Sequence, residues 1–476
     1  MDKKTKNSVI HFFAVYFILV FLSYVISPFI VNIILFGVLI YFFATKKNIA
    51  FLFALIYCLV DSPGGFFSQL DPNHRLPTLP LQAINYGELF LITAIIKTFP
   101  PKKINQKIYI NTSLKILALL LVILAFVTTY YGVTINKFLY TIRYLLPFAF
   151  LFVIPRLFKF EQDYKIFFYL IFSFIFFVIL NQVIQIIIGL KPAYLLGGQE
   201  IFIKADIVKD VDYQESLEKA ALRPVYSSGI WILSLFGSMF YIYKNKLEGI
   251  KDNLPYIAFY GTLFSIFISG TRGWIIASGI LLVLFLFITN KNPLGLFKNL
   301  GLPFLFVLII FTSIPRLNKQ LLQILDRFEI VEQLITNEVQ GETNVARIDE
   351  RAPKVMAKFK ESPILGFGFS NEYYEYRDPH VANQTILLNS GIIGFSFFVL
   401  AFTIIILKLF KHSIIQKINA YRKIHLLSLS FLLFLLIIHS TSAMIFSFST
   451  NVITGFALSL FFVFSNRIYH QYNLRR

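Results

Sequence analysis

The sequence predicts an all-α polytopic membrane protein of about 12–14 transmembrane helices, with two outward loops of which the later one is large and helical. The 476 residues are 57% apolar, 17% aromatic and only 14% charged, a composition too apolar for a soluble domain. Apolar runs of near-membrane length recur along the whole chain. Lys and Arg collect in every second loop, as they do in membrane proteins of fixed orientation.

The apolar runs give the order of the elements. A hydrocarbon core of about 30 Å takes about 20 helical residues to cross, and fourteen runs approach or reach that length. The first run is longer than the core of a signal peptide and no A-x-A-like cleavage site follows it, so we interpret it as a span. The runs lie near residues 8–27, 29–44, 49–62, 81–97, 112–131, 138–155, 166–190, 225–243, 255–270, 273–289, 296–314, 385–407, 424–439 and 445–465.

These runs divide the chain into five parts. An N-terminal transmembrane bundle (1–190) is followed by a first outward loop (191–224), central transmembrane helices (225–314), a large outward loop (315–384) and C-terminal transmembrane helices (385–476). The boundaries of the parts follow the apolar runs, because such runs show where the chain crosses the membrane.

The distribution of Lys and Arg predicts the orientation. If the N-terminus lies inside, fourteen crossings place every short basic loop and both termini on the cytoplasmic side. The outward loops are close to neutral, since 191–224 has five basic and six acidic residues and 315–384 has nine and eleven. Topology therefore explains the formal net charge of +19. Outside the inward loops, no basic stripe with stacking aromatics predicts nucleic-acid binding.

Several kinds of site are not indicated by the sequence. Cys58 is the only cysteine and lies in an apolar run, so neither a disulfide nor a thiolate metal site is expected. The seven histidines are scattered, and the sequence has no H-E-x-x-H motif, no Walker A loop and no dinucleotide glycine fingerprint. We therefore expect no metal and no cofactor, and we look for function in the outward loops and at their membrane boundaries.

Two arginines stand where the chain enters or turns within the membrane on the outward side. Arg223 ends the first loop in RPVYSSGIW, and Arg272 stands between two glycines in FISGTRGWIIA. An arginine costs about 2.5–3.5 kcal/mol at the centre of a span and less near its end. A functional role would explain that cost. The alternatives without function are a snorkelling interfacial arginine at 223 and a tight turn in the headgroups at 272.

The large outward loop carries a helical pattern and then a pair of arginines. Apolar residues at three- and four-residue spacing predict an amphipathic helix over 321–339, lying on the surface or against the bundle. Further along, Arg347 and Arg351 stand four residues apart and would share a helical face. The alternative is that Pro353 makes Arg351 the last residue before a break.

A turn and a lone histidine end this loop. Pro363, Gly366 and Gly368 turn the chain back towards His380, which stands just before a span and eleven residues ahead of a G-x-x-G pair at 391–394. A lone histidine is more often structural than catalytic. Its place at the junction of loop and membrane, with arginines on the same side, favours a catalytic role, because an imidazole with an ordinary pKa near 6.5 can accept a proton at neutral pH.

Four features follow one another in the sequence: SGTRG at a span junction, an arginine-bearing helix leading into SPILGFGF, His380, and GIIG. In this order they resemble the O-antigen ligase and O-antigen polymerase superfamily of bacterial envelope glycosyltransferases. The resemblance covers roughly residues 215–410, and that family also has many spans and one large periplasmic loop late in the chain. One departure is Val381, because the ligase pattern usually has Asn, Ser or Gln directly after the histidine. Asn383 or Gln384 would supply the nearest amide, and polymerase stays open beside ligase.

The resemblance implies an activity and its partners. The activity is metal-independent transfer of a glycan from a polyprenyl-pyrophosphate donor to a sugar hydroxyl, on a growing O-antigen, capsule or exopolysaccharide chain or on a lipid A core. The partners are the lipid-linked donor, a saccharide or lipid-linked acceptor and membrane lipids, with chain-length regulators or flippases as candidates. The protein would be a multi-pass protein of the bacterial inner membrane whose active site faces the periplasm.

The resemblance also implies roles for the residues named above. Arg223, Arg272 and Arg347 would bind the pyrophosphate through planar guanidinium groups, with Arg351 as the alternative to Arg347. His380 would take the proton of the attacking sugar hydroxyl. A lipid-glycan transporter or flippase without catalytic activity, and an assembly scaffold, are the rival interpretations. Transfer of glycan without ATP would indicate an enzyme, and movement of intact lipid a transporter.

Overall fold

All elements that the structure describes are helices. The structure, a computed structural model, describes residues 3–25, 28–45, 50–51, 86–99, 111–135, 137–138, 149–158, 160–188, 228–289, 350–378, 380–415 and 419–441, with a few more between 309 and 325. In chain order the helices are α1 (Lys3–Val25), α2 (Pro28–Ala44), α3 (Tyr86–Thr98), α4 (Asn111–Tyr131), α5 (Phe150–Leu157), α6 (Glu161–Ile188), α7 (Ser228–Glu248), α8 (Leu254–Ile268), α9 (Arg272–Thr289), α10 (Ala352–Phe359), α11 (Asn371–Tyr376), α12 (Ala382–Ile415) and α13 (Asn419–Thr441).

The apolar runs of the sequence predict most of these helices, and the class of all-α polytopic membrane protein is confirmed. α1 to α4, α6 to α9, α12 and α13 each coincide with a predicted span, and α5 covers the end of the run at 138–155. Among the described residues, four helical stretches are long and apolar enough to cross a membrane, namely Glu161–Leu180, Arg272–Thr289, Ala382–Ile415 and Arg422–Ser440. The predicted spans at 49–62, 296–314 and 445–465 lie almost wholly outside the described residues.

The chain folds into two compact units. The first contains residues 1–77, 84–93 and 160–337, and its centre is α6, against which α1, α7 and α8 pack. Polar side chains join these helices, because the Trp231 indole donates to Ser265 Oγ at 2.7 Å and Ser265 Oγ donates to Gln182 Oε1 at 2.6 Å. In a lipid environment, where apolar surfaces gain little by meeting each other, such bonds and close packing hold helices together.

Most of the amphipathic helix predicted over 321–339 lies outside the described residues. Its beginning is helical, and Leu321 packs against the buried cluster of Ile186, Ile268 and Leu317. Of the two placements that the sequence left open, the described beginning therefore contacts the bundle.

The second unit contains residues 78–83, 94–159 and 338–476, and α12 is its centre. α4, α10 and α13 pack along α12, and α11 lies between α10 and the beginning of α12 in the chain. A cluster of buried side chains from α4, α10, α11 and α12 forms the core at this end of the unit. The loop residues next to His380 are therefore attached to a packed helical surface.

The predicted span at 385–407 is correct in position but incomplete in form. The helix begins earlier, at Ala382, and ends later, at Ile415, so its 34 residues would extend about 51 Å, well beyond a hydrocarbon core of about 30 Å. It is also interrupted at Gly391, whose φ of 62° and ψ of −173° are not helical. This interruption positions the candidate site.

Candidate functional site

The interruption of α12 is filled by the loop that follows α10. Phe367 N donates to Leu388 O at 2.9 Å and Gly368 N donates to Asn389 O at 2.7 Å. In the reverse direction, Ile392 N donates to Pro363 O at 2.9 Å and Ile393 N donates to Ile364 O at 3.2 Å. These bonds satisfy backbone groups that a broken helix would otherwise leave without partners in an apolar region. We call residues 363–369 and 388–393 together the clasp.

Two glycines allow the two halves of the clasp to approach each other. Gly366 and Gly391 have φ angles of 68° and 62°, in the left-handed region where a Cβ is unfavourable. A Cβ on Gly366 would lie 2.5 Å from Gly391 N, and a Cβ on Gly391 would overlap with the carbonyl group of Ile364. The Gly366 of SPILGFGF and the first glycine of GIIG therefore serve the same backbone contact.

The C-terminal end of α4 holds the clasp from its other side. Phe369 N donates to Thr128 Oγ1 at 2.7 Å, and a Cβ on Gly368 would lie 2.6 Å from Thr128 N. Asn371 closes the contact, because its N–H donates to Gly132 O and its side-chain oxygen accepts from Thr134 N, both at 3.3 Å. α4 and the large loop are thus one structural piece, although some 240 residues separate them in the chain.

A lysine of α10 forms an ion pair with a carboxylate of α11. Lys358 Nζ lies 2.7 Å from a carboxylate oxygen of Glu361 and 2.7 Å from one of Glu372, and it stands over the rings of Phe367 and Tyr376 at 5.0 and 5.1 Å from their centroids. The hydrogen bonds that the Lys358 ammonium donates to the carboxylates of Glu361 and Glu372 raise the pKa of Lys358 above its ordinary value. A lysine held charged in this way ties two helices together and cannot act as a base near neutral pH.

Asp378 connects two of the predicted site residues. One carboxylate oxygen accepts from the backbone N–H of His380 at 2.7 Å, and the other lies 3.8 Å from Arg351 Nε. Thr385 fixes the backbone of Asp378, because its hydroxyl donates to Asp378 O at 2.6 Å and accepts from Asp378 N at 3.3 Å. The Arg351 and Asp378 side chains are 42% and 22% exposed, so their pair contributes at most about 1 kcal/mol to stability. Its effect is to link Arg351 to the residue that also binds the backbone of His380.

His380 and its neighbour Val381 have opposite environments. His380 is exposed, whereas Val381 is only 6% exposed and belongs to the buried cluster of this unit. The position where the ligase pattern has a polar residue therefore packs into the core in this chain. Asn383 is exposed and Gln384 is half-buried, so an amide near His380 would come from the first turn of α12.

Arg351 directly precedes α10 in the chain. It is the N-cap of α10, and Pro353 stands in the first turn of that helix, where its missing N–H is not needed. Within the described residues, which begin at 350 in this part of the chain, no break follows Arg351, because Pro353 lies in the first turn of a helix. Arg347, the other member of the predicted pair, lies outside the described residues.

Arg272 lies in the first unit, at the first residue of α9. Gly270, with a φ of 61°, makes the turn from α8, and Thr271 O accepts from the N–H groups of Trp274 and Ile275 at 3.0 Å. The tight turn that the sequence suggested between two helices is present. The function of Arg272 is not decided by this geometry and stays a prediction, and Arg223 lies outside the described residues.

Sequence reasoning missed the connecting residues Asp378 and Thr128. The D-P-H segment carried a signal, since an aspartate often accepts a hydrogen bond from the backbone N–H two residues later. Nothing in the local sequence pointed to the contacts of Asp378 with Arg351 or of Thr128 with Phe369, because they are long-range. Among the residues that the structure describes, no group of three His, Cys, Asp or Glu side chains is arranged to hold a metal ion.

Of three comparisons with known proteins, one found a match. Residues 257–399 match the family described as O-antigen ligase. The matched segment contains most of α8, all of α9 to α11 and the first part of α12. It includes Arg272, Arg347, Arg351 and His380, but not Arg223. No curated protein and no solved structure matches the chain significantly.

Proposed function

We propose that this chain, whose residues 257–399 match the O-antigen ligase family, transfers a glycan from a polyprenyl-pyrophosphate donor to a sugar hydroxyl. The family supports a glycan-transferring membrane enzyme in general. The nature of the donor, the role of each residue and the periplasmic location of the site are our proposal. We place the protein in the bacterial inner membrane, with both termini in the cytoplasm.

The observation that carries this proposal is the group formed by Arg351, Asp378 and His380. An exposed histidine donates its backbone N–H to the carboxylate that also contacts an arginine. A base for a hydroxyl and a cation for phosphate stand on the same packed surface. Precise placement of such groups on rigid elements is what a transfer reaction requires.

The chemistry that we propose is a single displacement. The acceptor hydroxyl attacks the anomeric carbon of the donor sugar, a new glycosidic C–O bond forms, and the C–O bond to the pyrophosphate breaks. The lipid pyrophosphate leaves with the electron pair of that bond. The neutral imidazole of His380 accepts the hydroxyl proton, which contributes about 10²–10⁴-fold to the rate.

The arginines would stabilise the leaving group. Negative charge grows on the pyrophosphate as the C–O bond between the donor sugar and the pyrophosphate breaks. A guanidinium offers two parallel N–H donors to phosphate oxygens. Arg351 is the candidate for which contacts are described, and Arg272, Arg347 and Arg223 are proposed for the same ligand. Polymerase and ligase differ in whether the acceptor is another lipid-linked repeat or a lipid A core.

Reconstituted protein tests the proposal. Purified chain in liposomes, given a labelled lipid-linked oligosaccharide and an acceptor, should form a new glycosidic bond without ATP. Loss of product in His380→Ala, with product retained in the control His11→Ala, would support the proposal, because His11 is also exposed but lies on α1. Movement of intact lipid across the bilayer without transfer would instead support a transporter.

The acceptor can be identified in cells. In a deletion strain, loss of long surface polysaccharide with one repeat still attached would indicate a polymerase. Accumulation of unattached polymer would indicate a ligase. Both outcomes keep the transferase proposal, whereas an unchanged polysaccharide pattern would argue against it.

A further inference from the structure

A second polar site lies in the first unit, at the ends of α8 and α9 that are remote from the turn joining these two helices. A cavity of about 520 Å³ opens between the C-terminal end of α7, the loop at 250–253, the first turns of α8 and the C-terminal end of α9. Its inner wall is apolar, formed by Phe259, Phe285 and Leu286, each at most 5% exposed. Its rim carries polar and basic side chains. The cavity therefore combines an apolar wall with a charged mouth.

A buried amide in this cavity has no protein partner. Asn245 is only 5% exposed and lines the cavity, and its Nδ2 group has no hydrogen-bond partner among the described residues. An amide N–H buried without a partner costs about 1–3 kcal/mol. A ligand that accepts a hydrogen bond inside the cavity would remove this cost.

The mouth of the cavity is basic. Lys246 and Lys251 line it and are exposed. Lys246 Nζ donates to Thr289 O at 3.4 Å, and an ammonium has three donors, so it can also bind an anion. Asp252 is the acidic residue of the lining, and its carboxylate oxygens accept from the Tyr169 hydroxyl at 2.7 Å and from Leu254 N at 3.1 Å. Both carboxylate oxygens of Asp252 thus already accept hydrogen bonds from protein donors.

The surroundings of the cavity are those of a membrane boundary. Exposed apolar side chains flank it on three elements, with Leu247 at 47%, Ile257 at 47% and Phe287 at 70% exposure. Exposed apolar surface next to a basic rim is typical of helix ends at the level of lipid headgroups. A ligand there would have an acidic head for the lysines and an apolar part along the helices.

We propose that this cavity binds the phosphodiester headgroup of an anionic membrane lipid, with Lys246 and Lys251 facing the phosphate and Asn245 donating to a headgroup oxygen. Basic pockets between transmembrane helices bind anionic lipid headgroups by the same chemistry. The apolar wall and the flanking side chains favour a lipid over free phosphate. None of the residues proposed for glycan transfer lines this cavity, and the test of the proposal needs no transfer activity.

Lipid binding to the purified full-length protein tests this inference. Native mass spectrometry in detergent would measure binding of dioctanoyl phosphatidylglycerol, with dioctanoyl phosphatidylcholine and inorganic phosphate as comparison ligands. We expect preference for phosphatidylglycerol and about five-fold weaker binding for each lysine removed in Lys246→Ala and Lys251→Ala. Asn245→Leu should also weaken binding, because it removes the buried donor at similar volume.

Two controls separate a specific site from general charge and from misfolding. Lys408→Ala/Lys411→Ala removes two cations near the end of α12, in the other unit, and should leave phosphatidylglycerol binding unchanged. Because Lys246 and Lys251 are exposed, their variants should keep the wild-type melting temperature even if Asn245→Leu does not. Equal binding of phosphatidylcholine, equal occupancy by inorganic phosphate, or unchanged affinity in the lysine variants would overturn the assignment.

Discussion

His380 is held by its neighbours and not by burial of its own ring. Its backbone N–H donates to Asp378, and the next residue, Val381, is buried in the core of its unit. Removing the imidazole should therefore leave the local structure intact. We expect His380→Ala to lower the transfer rate by about 100-fold or more with unchanged protein abundance and melting temperature, measured beside His11→Ala. Transfer at near wild-type rate would remove the proposed base.

The same role predicts the direction of the pH dependence. Only the neutral imidazole can accept the acceptor's proton, so kcat/KM should fall as acidification protonates His380. The residual activity of His380→Ala should lack this acid limb. An acid limb that persists in the variant would assign the titration to another group.

Asp378 has two separable roles, and two substitutions distinguish them. Asp378→Asn keeps an oxygen for the backbone N–H of His380 but removes the charge that faces Arg351, whereas Asp378→Ala removes both. An exposed ion pair contributes at most about 1 kcal/mol, so we expect Asp378→Asn to raise the donor KM by no more than about five-fold. Asp378→Ala should lower kcat as well, because His380 loses its backbone anchor.

A nearby carboxylate serves as the control for Asp378. Glu375 is exposed on α11, three residues away in the chain, and Glu375→Gln should change neither KM nor kcat. Wild-type kinetics in Asp378→Ala would show that this residue does not position the site.

At the scale of single elements, the clasp depends on glycine. Gly391→Ala would place a side chain in a left-handed conformation, at a cost of about 1–3 kcal/mol, and against the Ile364 carbonyl group. We expect a lower melting temperature in detergent and loss of transfer. Gly279→Ala is the matched control, because Gly279 lies in α9 with no atom within 4 Å of an added Cβ and should gain about 0.5–1 kcal/mol. Equal stability of the two variants would contradict the role of the clasp.

The positions of helices were predictable from sequence, and the interruption of one of them was not. Hydropathy gives the length of a span, and GIIG within an apolar run is compatible with an unbroken helix. The break at Gly391 is stable only because Phe367, Gly368, Pro363 and Ile364 supply its backbone partners from a loop more than twenty residues earlier. A local pattern predicts local structure, and these bonds are tertiary.

The candidate site was likewise predictable from sequence only in part. Arg351 and His380 were predictable as residue types in an outward loop, because charge and position carry that information. Their relation to each other was not, since it runs through Asp378 and through an N-cap that only the fold of α10 defines. The turn around Arg272 was predictable, because two glycines flank it between apolar runs.

At the scale of the whole molecule, the predicted site residues are divided between the two units. Arg272 belongs to the first unit and His380 to the second. If Arg272 binds the donor phosphate, as proposed, Arg272→Lys should lower transfer by about ten- to hundred-fold, because lysine keeps the charge but loses the planar fork that binds phosphate. Membrane levels should stay normal. Arg422→Lys, an exposed arginine near the start of α13, should behave as wild type.

The orientation of the whole chain decides whether all these residues can meet an envelope glycan. Only one arrangement places every short basic loop in the cytoplasm, and it puts 191–224 and 315–384 outside. In a Cys58→Ser background, single cysteines at Gln199, Asn344 and Lys360 should react with a membrane-impermeant thiol reagent in intact cells. A cysteine at Lys417 should react only after the membrane is opened, because its loop is predicted to face the cytoplasm. Protection of the first three positions in folded protein, with labelling at 417, would invert the topology and place His380 on the wrong side for its proposed substrate.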